Sequence, residues 1–538
     1  MSLALCTYLA ILGCVTWSIR HVRSEKEKLP LPPGPKKLPF IGNLLDAPSE
    51  FQWLKYHEWS EQYNSDIIHL SVAGSSFVVV DTVEAAKELF DKRSSIYSSR
   101  PRLIMLNELM GWSWLFAMME YGKAWKHHRK LFQKEFHSNA ATSQFHPQLL
   151  KHTTKLLQRL LGSPDDFMEH MNQTTVAIIM DIGYAIDVSS KEDPHIVTAE
   201  KALTGLNIAS LHGAFLVESI PLLKYVPAWM PGAGFQQKAK EWKYYTEKMV
   251  KDPFEVVKER MASGIYQPCF TSRRLEDMNE SEDIAQQERL IQETAGNLYT
   301  AGADTTTSAL ISLVLAFLIH PDIQEKARRE IDGVLEGKRL PNFEDMDQLP
   351  YVTAVAREVQ RWQPVTPLAI PHFVTDEDEY KGYRIPANSI VIGNAWAMLH
   401  DETKYAEPFA FKPERWLSSD GTLNPDMKEP SVMFGFGRRI CPGRYLASSS
   451  IWITAAMLLS VFEFTHAIDQ NGHRIEPSQK YCPGLIPSPL PFQLPDSTAI
   501  PSRKGTRSRG CKYLMLLSCC TSHYVLPSAF HDKMLDKM

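Results

Sequence analysis

No two of the eight cysteines stand in a Cys-x-x-Cys pair, so neither a zinc site nor a disulfide framework is indicated. Cys6 and Cys14 lie in an N-terminal apolar run, and Cys511, Cys519 and Cys520 lie in a C-terminal tail. Positive charge is not in surplus either: 58 Lys and Arg stand against 62 Asp and Glu, a net charge of −4. That excludes the basic excess of a nucleic-acid binder. A Gly/Ser-rich or charge-block linker is also missing. Although 538 residues would suffice for about three domains of roughly 150 residues each, one large folded unit is the better reading. The rest of the composition, 44% hydrophobic and 22% charged, is that of a globular protein. Any functional cysteine must act singly.

What is present begins with an uncharged run at residues 2–19, SLALCTYLAILGCVTWSI, just long enough to cross a bilayer as one helix. Arg20, His21 and Arg23 follow it, which leaves the remainder on the cytosolic side. No basic segment precedes the run, so a retained anchor is favoured over a cleaved signal peptide. Residues 1–28 are therefore read as a membrane anchor with its basic flank, and 29–43 as a proline-rich hinge. Pro30, Pro32, Pro33 and Pro35 stiffen that hinge into an extended spacer that holds a folded body off the membrane. The body spans 44–497. The tail, 498–538, shows no amphipathic period and reads as appended and disordered.

Within the body, DIIHLSVAGSSFVVVD (66–81) reads as two strands around a Gly-Ser turn, followed by a helix over 82–90. Residues 121–351 are overwhelmingly helical in pattern, with one long helix over 282–319. Short strands return near KGYRIPANSIVI, residues 368–370 are strand-like, and a last helix starts at Pro442. The fold class is mainly α with a minor β-sheet region.

Residues 434–443 read FGFGRRICPG. Cys441 precedes Pro442, a residue favoured at the first helical position, so the thiol is expected to face a positive helix end. Gly435, Gly437 and Gly443 leave the backbone free to approach something large and flat, and Arg439 suits an anionic group on it. A single activated cysteine fits two chemistries: a nucleophile with a histidine base, or an axial ligand to haem iron. A buried structural cysteine is the bland alternative.

The pattern F-x-x-G-x-R-x-C-x-G, met at Phe434, Gly437, Arg439, Cys441 and Gly443, resembles the haem-binding signature of the cytochrome P450 family, the haem-thiolate monooxygenases. The stretches NELMGW, DIGYAID and KYVPAWMPG are similar to a fungal microsomal group within it. The resemblance covers residues 29–491 and implies the cytochrome P450 fold behind one N-terminal transmembrane helix. The implied cofactor is haem b, with Cys441 as axial iron ligand. Phe434, Gly437 and Gly443 lie against the haem, and Trp125, Arg129, His372 and Arg439 hold its propionates. The neighbours Asp304 and Thr305, both poor helix formers inside a helical pattern, correspond to the acid–alcohol pair that relays protons to dioxygen. Gly302 beside them would leave room for dioxygen and water. Glu358, Arg361 and Arg415 correspond to a structural ion triad.

The implied reaction inserts one oxygen atom of dioxygen into a lipophilic substrate. Its electrons come from NADPH through a flavoprotein reductase, with cytochrome b5 as an optional second donor. The implied location is the endoplasmic reticulum membrane, single-pass, with the catalytic domain in the cytosol. Lys126, His127, His128 and Lys130 are read as a solvated basic face suited to steering the reductase. The expected substrate lining, at 103–119, 208–217, 298–305, 365–370 and 485–487, is rich in large apolar residues with few charges. It suits an aromatic, polycyclic or terpenoid molecule. A haem-thiolate isomerase or dehydratase acting without dioxygen is the alternative, and the Asp304–Thr305 pair argues against it. A cysteine hydrolase would require a chain that binds no haem.

Overall fold

A computed structural model describes residues 29–494, apart from 40, 73, 189, 191 and 211–213. The expected anchor helix and C-terminal tail lie outside the described residues. The described chain is mainly helical with two small sheets, as the residue patterns predict, and it divides into two compact units interleaved in sequence.

The smaller unit comprises the described residues up to Arg102 together with Leu368–Met398 and Gly435–Ile440. It contains six strands: β1 Ile67–Val72, β2 Ser75–Val80, β3 His372–Phe373, β4 Asp378–Tyr380, β5 Tyr383–Ile385 and β6 Ile390–Gly393. β1 and β2 form an antiparallel hairpin, with Ile67 opposite Val80. β2 then pairs in parallel with β6, Phe77 opposite Ile390, and β3 closes the sheet antiparallel to β6. The Gln52–Tyr63 helix lays Tyr56 and Trp59 over Ile68, Leu70, Phe77, Val79 and Ile392, forming one apolar cluster. The expected hairpin is therefore present, but β5 and β6 do not pair with each other. β5 pairs with β4 instead.

Three further expectations are corrected here. The proline-rich segment is extended, but it lies strapped to the strands rather than standing off them. The Pro33 carbonyl accepts the His69 N–H at 2.8 Å, and the Pro30 carbonyl accepts the Arg384 N–H at 2.8 Å. Proline lacks a donor of its own but keeps its carbonyl, so the segment can still be pinned from one side. The helix expected over 82–90 is a four-residue helix, Val83–Ala86, capped by Thr82, which widens into a π-type turn at Lys87–Lys92. Residues 368–370 are not a strand: Ala369 has φ 51, a left-handed turn that redirects the chain into β3.

The larger unit holds the remaining described residues. Its axis is the Ile284–Ile319 helix, started by Asp283, whose side chain accepts the Gln286 N–H. It is the one helix among the described residues long and apolar enough to cross a membrane, yet 67% of its apolar window is buried inside the fold. That marks it as a core helix. It packs along the Phe167–Tyr184 helix, where Thr175 and Thr307 hydroxyls meet at 2.6 Å. A Cβ on Gly302 would lie 2.6 Å from Ile179 Cδ1. The space expected for dioxygen at Gly302 is thus taken by Ile179, and this glycine serves close helix packing. The final helix runs Arg444–Val461 with Gly443 as its N-cap, two residues later than expected.

Candidate active site

Gly435–Ile440 belongs to the smaller unit, while Phe434 and Cys441 belong to the larger. In the larger unit, the Phe434 carbonyl accepts the Cys441 N–H at 2.8 Å, which fixes the cysteine backbone. Cys441 itself is half-buried and a free thiol. Burial pushes the thiol pKa up, against the opposing pull of the Gly443 N–H, Arg129 and Arg444. Pro442 precedes the helix rather than opening it, but the thiol still meets the helix N-terminus, where the N–H of the N-cap Gly443 favours the thiolate. A thiol held this way is a poor free nucleophile, because the nucleophile is the thiolate. A bound metal cation deprotonates a thiol outright.

Arg129 lies on the Lys123–Phe136 helix, within Coulombic reach of Cys441 and Arg444. Burial lowers its pKa, and the cysteine's negative form would raise it. Trp125, one turn earlier, is 4% exposed and its ring packs on Tyr121 at 5.0 Å. The same helix corrects the basic-face expectation. Lys126, His127 and Lys130 are exposed, but His128 is buried. It bonds Thr294 Oγ1 at 2.8 Å and approaches Glu293 at 3.5 Å. The helical period explains it, since Trp125 and His128 are three apart and share the inward face.

The smaller unit gathers a second basic cluster. Arg439 is buried, and its Nε donates to the Ser98 carbonyl at 2.7 Å. His372 opens β3 and is also buried, its Nδ1–H donated to the Tyr97 carbonyl at 2.7 Å. Phe90 stacks on the His372 ring at 4.4 Å and on Phe436 at 5.1 Å. Gly437 is required where it stands: φ is 53, and a Cβ there would lie 2.1 Å from the Phe90 carbonyl oxygen.

The residue that sequence reading missed is Arg100. It is 4% exposed and donates from Nη1 to the Ile370 and Pro371 carbonyls, both at 2.9 Å. Burial and its neighbour Arg439 lower the Arg100 pKa well below the ordinary value. Burial and then Arg100 do the same to His372, so that imidazole is neutral. Two buried guanidiniums and an imidazole in one cluster suit a group bearing carboxylates. An Arg-Pro dipeptide was the only signal for Arg100 in the sequence.

On the long helix, Thr294 through Thr300 and Ser308 through Leu318 are buried, but Ala301 is exposed, and Asp304 and Thr305 are partly buried. Thr305 Oγ1–H is donated to the Ala301 carbonyl at 2.7 Å. The Asp304 carboxyl is pushed up to about 6 by burial, with Glu200 adding to the shift.

The expected ion triad is assembled within the larger unit. Glu358 and Arg361 are both 0% exposed on the Pro350–Trp362 helix, three residues apart. Arg361 binds both Glu358 oxygens, at 3.0 and 2.9 Å. Arg415 Nε reaches Glu358 Oε1 at 3.1 Å. Two donors not foreseen complete the site: the Lys412 N–H at 2.9 Å and the Trp416 indole N–H at 2.9 Å. Spare guanidinium donors go to the Leu399, Ala410 and Ala406 carbonyls. A buried ion cluster is tolerable only when satisfied in this way.

Among the described residues, no group of three His, Cys, Asp or Glu could hold a bare metal ion. A single half-buried cysteine with arginines in electrostatic reach suits an iron already held by a macrocycle. Residues 32–495 match the family model described as Cytochrome P450. Cytochrome P450 monooxygenase 98 of Postia placenta is 46% identical over 475 residues, which is 88% of this chain and 91% of that protein. Cytochrome P450 monooxygenase ple1 of Rhodocybe pseudopiperita is 42% identical, over 87% of this chain and 89% of its own. Tryptamine 4-monooxygenase of Psilocybe cyanescens is 40% identical, over 90% and 96%. The chain belongs to the cytochrome P450 family, the haem-iron monooxygenases whose electrons come from NAD(P)H through a redox partner.

Proposed function

We propose that this enzyme is a haem-thiolate monooxygenase of the endoplasmic reticulum membrane, anchored by residues 1–28 with its catalytic body, 44–497, in the cytosol. It inserts one oxygen atom into a lipophilic aromatic, polycyclic or terpenoid substrate, drawing NADPH electrons through a flavoprotein reductase, with cytochrome b5 as an auxiliary donor. The observation that carries this reading is Cys441: a lone, half-buried thiol whose backbone is fixed by Phe434, with Arg129 and Arg444 in electrostatic reach.

When bound, the haem supplies the activation of dioxygen, with the Cys441 thiolate donating electron density to its iron. Trp125, Arg129, His372 and Arg439, and with them Arg100, are proposed for the propionates. Asp304, with its carboxyl near 6, exchanges its proton around neutral pH and so can pass protons inward. Thr305 keeps its oxygen lone pairs open while its own proton rests on the Ala301 carbonyl, so it can accept and hand on a proton at Oγ1. Glu358, Arg361 and Arg415 keep their structural role and touch no substrate. The exposed Lys126, His127 and Lys130 remain candidates for steering the reductase; His128 does not.

The test is turnover with NADPH and a reductase under isotopically labelled dioxygen, over a panel of lipophilic aromatics, tryptamine and terpenoids. One labelled oxygen atom per product molecule is expected. Product formed equally well without dioxygen would replace this reading with the isomerase or dehydratase one.

A further inference from the structure

His69 is the one polar residue in the first four positions of β1, and it is 3% exposed. Strand alternation turns its side chain away from Ile68 and Leu70, which pack with the Gln52–Tyr63 helix, and towards the opposite face of the sheet. The proline-rich strap runs past its backbone. The His69 N–H is donated to the Pro33 carbonyl, and a Cβ on Gly34 would lie 2.2 Å from the His69 carbonyl oxygen.

A chain of hydroxyls fixes the tautomer of this imidazole. Ser389 Oγ–H is donated to the Pro386 carbonyl at 2.7 Å, so the same oxygen must accept from Ser76 Oγ–H, also at 2.7 Å. With its single proton placed there, Ser76 Oγ accepts from His69 Nε2–H at 3.0 Å. Nδ1 is therefore the bare, accepting nitrogen. It is buried and meets no donor among the described residues, an unfavourable state for an interior acceptor. Burial first, and then Lys37, lower the His69 pKa to about 4; Arg384 adds to the shift and the residue's own carbonyl opposes it. The ring is neutral at physiological pH.

Its surroundings are positive. Lys37 of the strap and Arg384 of β5 lie within electrostatic reach of His69, and partial burial and then Arg384 lower the Lys37 pKa. All three residues belong to the smaller unit. Arg384 is 9% exposed; its backbone N–H holds the Pro30 carbonyl, and its Nη1 reaches Glu377 at 3.3 Å. The Glu377 side chain is 52% exposed, so water screens it and it offsets only part of the two positive charges.

A buried lone pair beside two cations makes a specific demand. A carboxylate, a sulfate or a phosphodiester brings negative charge but no proton for Nδ1, and a neutral hydroxyl brings the proton without the charge. A phosphomonoester that keeps one proton brings both. Its P–O–H donates to Nδ1 while its charged oxygens meet Lys37 and Arg384.

We propose that Lys37, His69 and Arg384 form a binding site for a phosphomonoester, which fastens the proline-rich strap by bridging it to β1 and β5. The chemistry recognised is a terminal phosphate, offered alike by a phosphatidate headgroup and by a soluble polyol phosphate.

The experiment uses the full-length, haem-loaded enzyme in phosphatidylcholine nanodiscs and follows deuterium uptake at the His69 and Arg384 amides, the two donors to the strap. Glycerol 3-phosphate or sulfate is added at equal ionic strength, or part of the disc lipid is replaced by phosphatidate or by phosphatidylglycerol, an anionic diester. A phosphomonoester at about ten times its Kd should slow uptake at both amides by about tenfold, while sulfate and phosphatidylglycerol leave it unchanged. Affinity should weaken about tenfold for each pH unit above the ligand's second pKa of about 6, as the free ligand loses the proton meant for Nδ1. Lys37→Met, at an exposed position, should keep its haem and lose about tenfold in affinity. Ser76→Ala lets the imidazole carry its proton on Nδ1, so sulfate should then protect as well.

Protection by phosphatidate and not by glycerol 3-phosphate identifies a lipid headgroup as the source, and the reverse identifies a soluble phosphate. Equal protection of the wild type by sulfate or phosphatidylglycerol would overturn the phosphomonoester assignment in favour of general charge attraction. No protection by either phosphate, or protection that survives Lys37→Met undiminished, would overturn the site itself. Should Ser76→Ala fail to fold, the sulfate comparison in the wild type and the Lys37→Met variant decide without it.

Discussion

Thr305 and Asp304 are neighbours in one helix turn, but their surroundings prepare them for different tasks. The Thr305 hydroxyl is fixed by the Ala301 carbonyl at 2.7 Å, so Thr305→Ala removes one oxygen without disturbing the helix. We expect that variant to keep its haem, to consume NADPH at a comparable rate and to release peroxide in place of product, measured as the ratio of product to NADPH. An unchanged ratio would remove Thr305 from the proton path. Asp304 differs because burial raises its pKa from 3.8 to about 6. Between those pH values the folded chain holds a proton that the unfolded chain has lost. Folding stability therefore falls as pH rises from about 4 to about 6, and stays lower above that range. A shift of this size corresponds to up to about 3 kcal/mol. Asp304→Asn cannot ionise, so its Tm should exceed the wild type at pH 7.5, with the gain vanishing near pH 4. A gain that persists at pH 4 would mean that something other than ionisation is relieved.

At the scale of elements, the buried triad shows what spacing reveals and what it hides. Glu358 and Arg361, three apart in a helical pattern, were legible as a pair on one face. Arg415 came with the family resemblance. The Trp416 indole and the Lys412 N–H depend on how the 413–416 turn meets the helix, and no local pattern encodes that approach. Removing the carboxylate in Glu358→Ala strands two buried guanidiniums, a loss of about 3–5 kcal/mol, and haem-loaded protein should fail to accumulate. Trp416→Phe removes one bond to a charged group, about 1.5–3 kcal/mol. It should lower Tm while leaving the carbon-monoxide spectrum unchanged, and an unchanged Tm would show that the indole N–H contributes nothing there.

The cysteine loop and the long helix show the same division. The glycine at 437 was legible as a tight backbone site, and its φ of 53 beside the Phe90 carbonyl is the reason. The start of the last helix was misplaced by two residues, because Pro442 signals a first helical position only when the turn before it permits one. His128 was misread because a run of basic residues looks like a wet face until the helical period is counted out from Trp125. Gly302 was misread because the sequence shows a missing side chain but not the Ile179 that fills its place.

At the scale of the molecule, the mainly helical class, the long core helix and the β1–β2 hairpin follow from periodicity alone. The pairing of β2 with β6, more than three hundred residues later, does not, since parallel pairing at that distance leaves no local mark. Arg100 is the same kind of miss: its place beside Arg439 and His372 is set by chain segments far apart in sequence. The family model match ends at 495, so removing the residues after Pro501 should leave the spectrum and the Tm of the haem-loaded enzyme unchanged. Loss of the spectrum would show that the tail supports the fold.

The central claim is that Cys441 is the thiolate on haem iron, and the most direct measurement is a carbon-monoxide difference spectrum. Dithionite-reduced microsomes expressing the full chain, wild type and Cys441→His, would be compared at equal haem content. The wild type should show the strongly red-shifted Soret band of thiolate ligation, and the variant should lack it. A wild-type enzyme whose haem gives no red shift, folded protein that binds no haem, or a variant that keeps the band would each contradict the assignment.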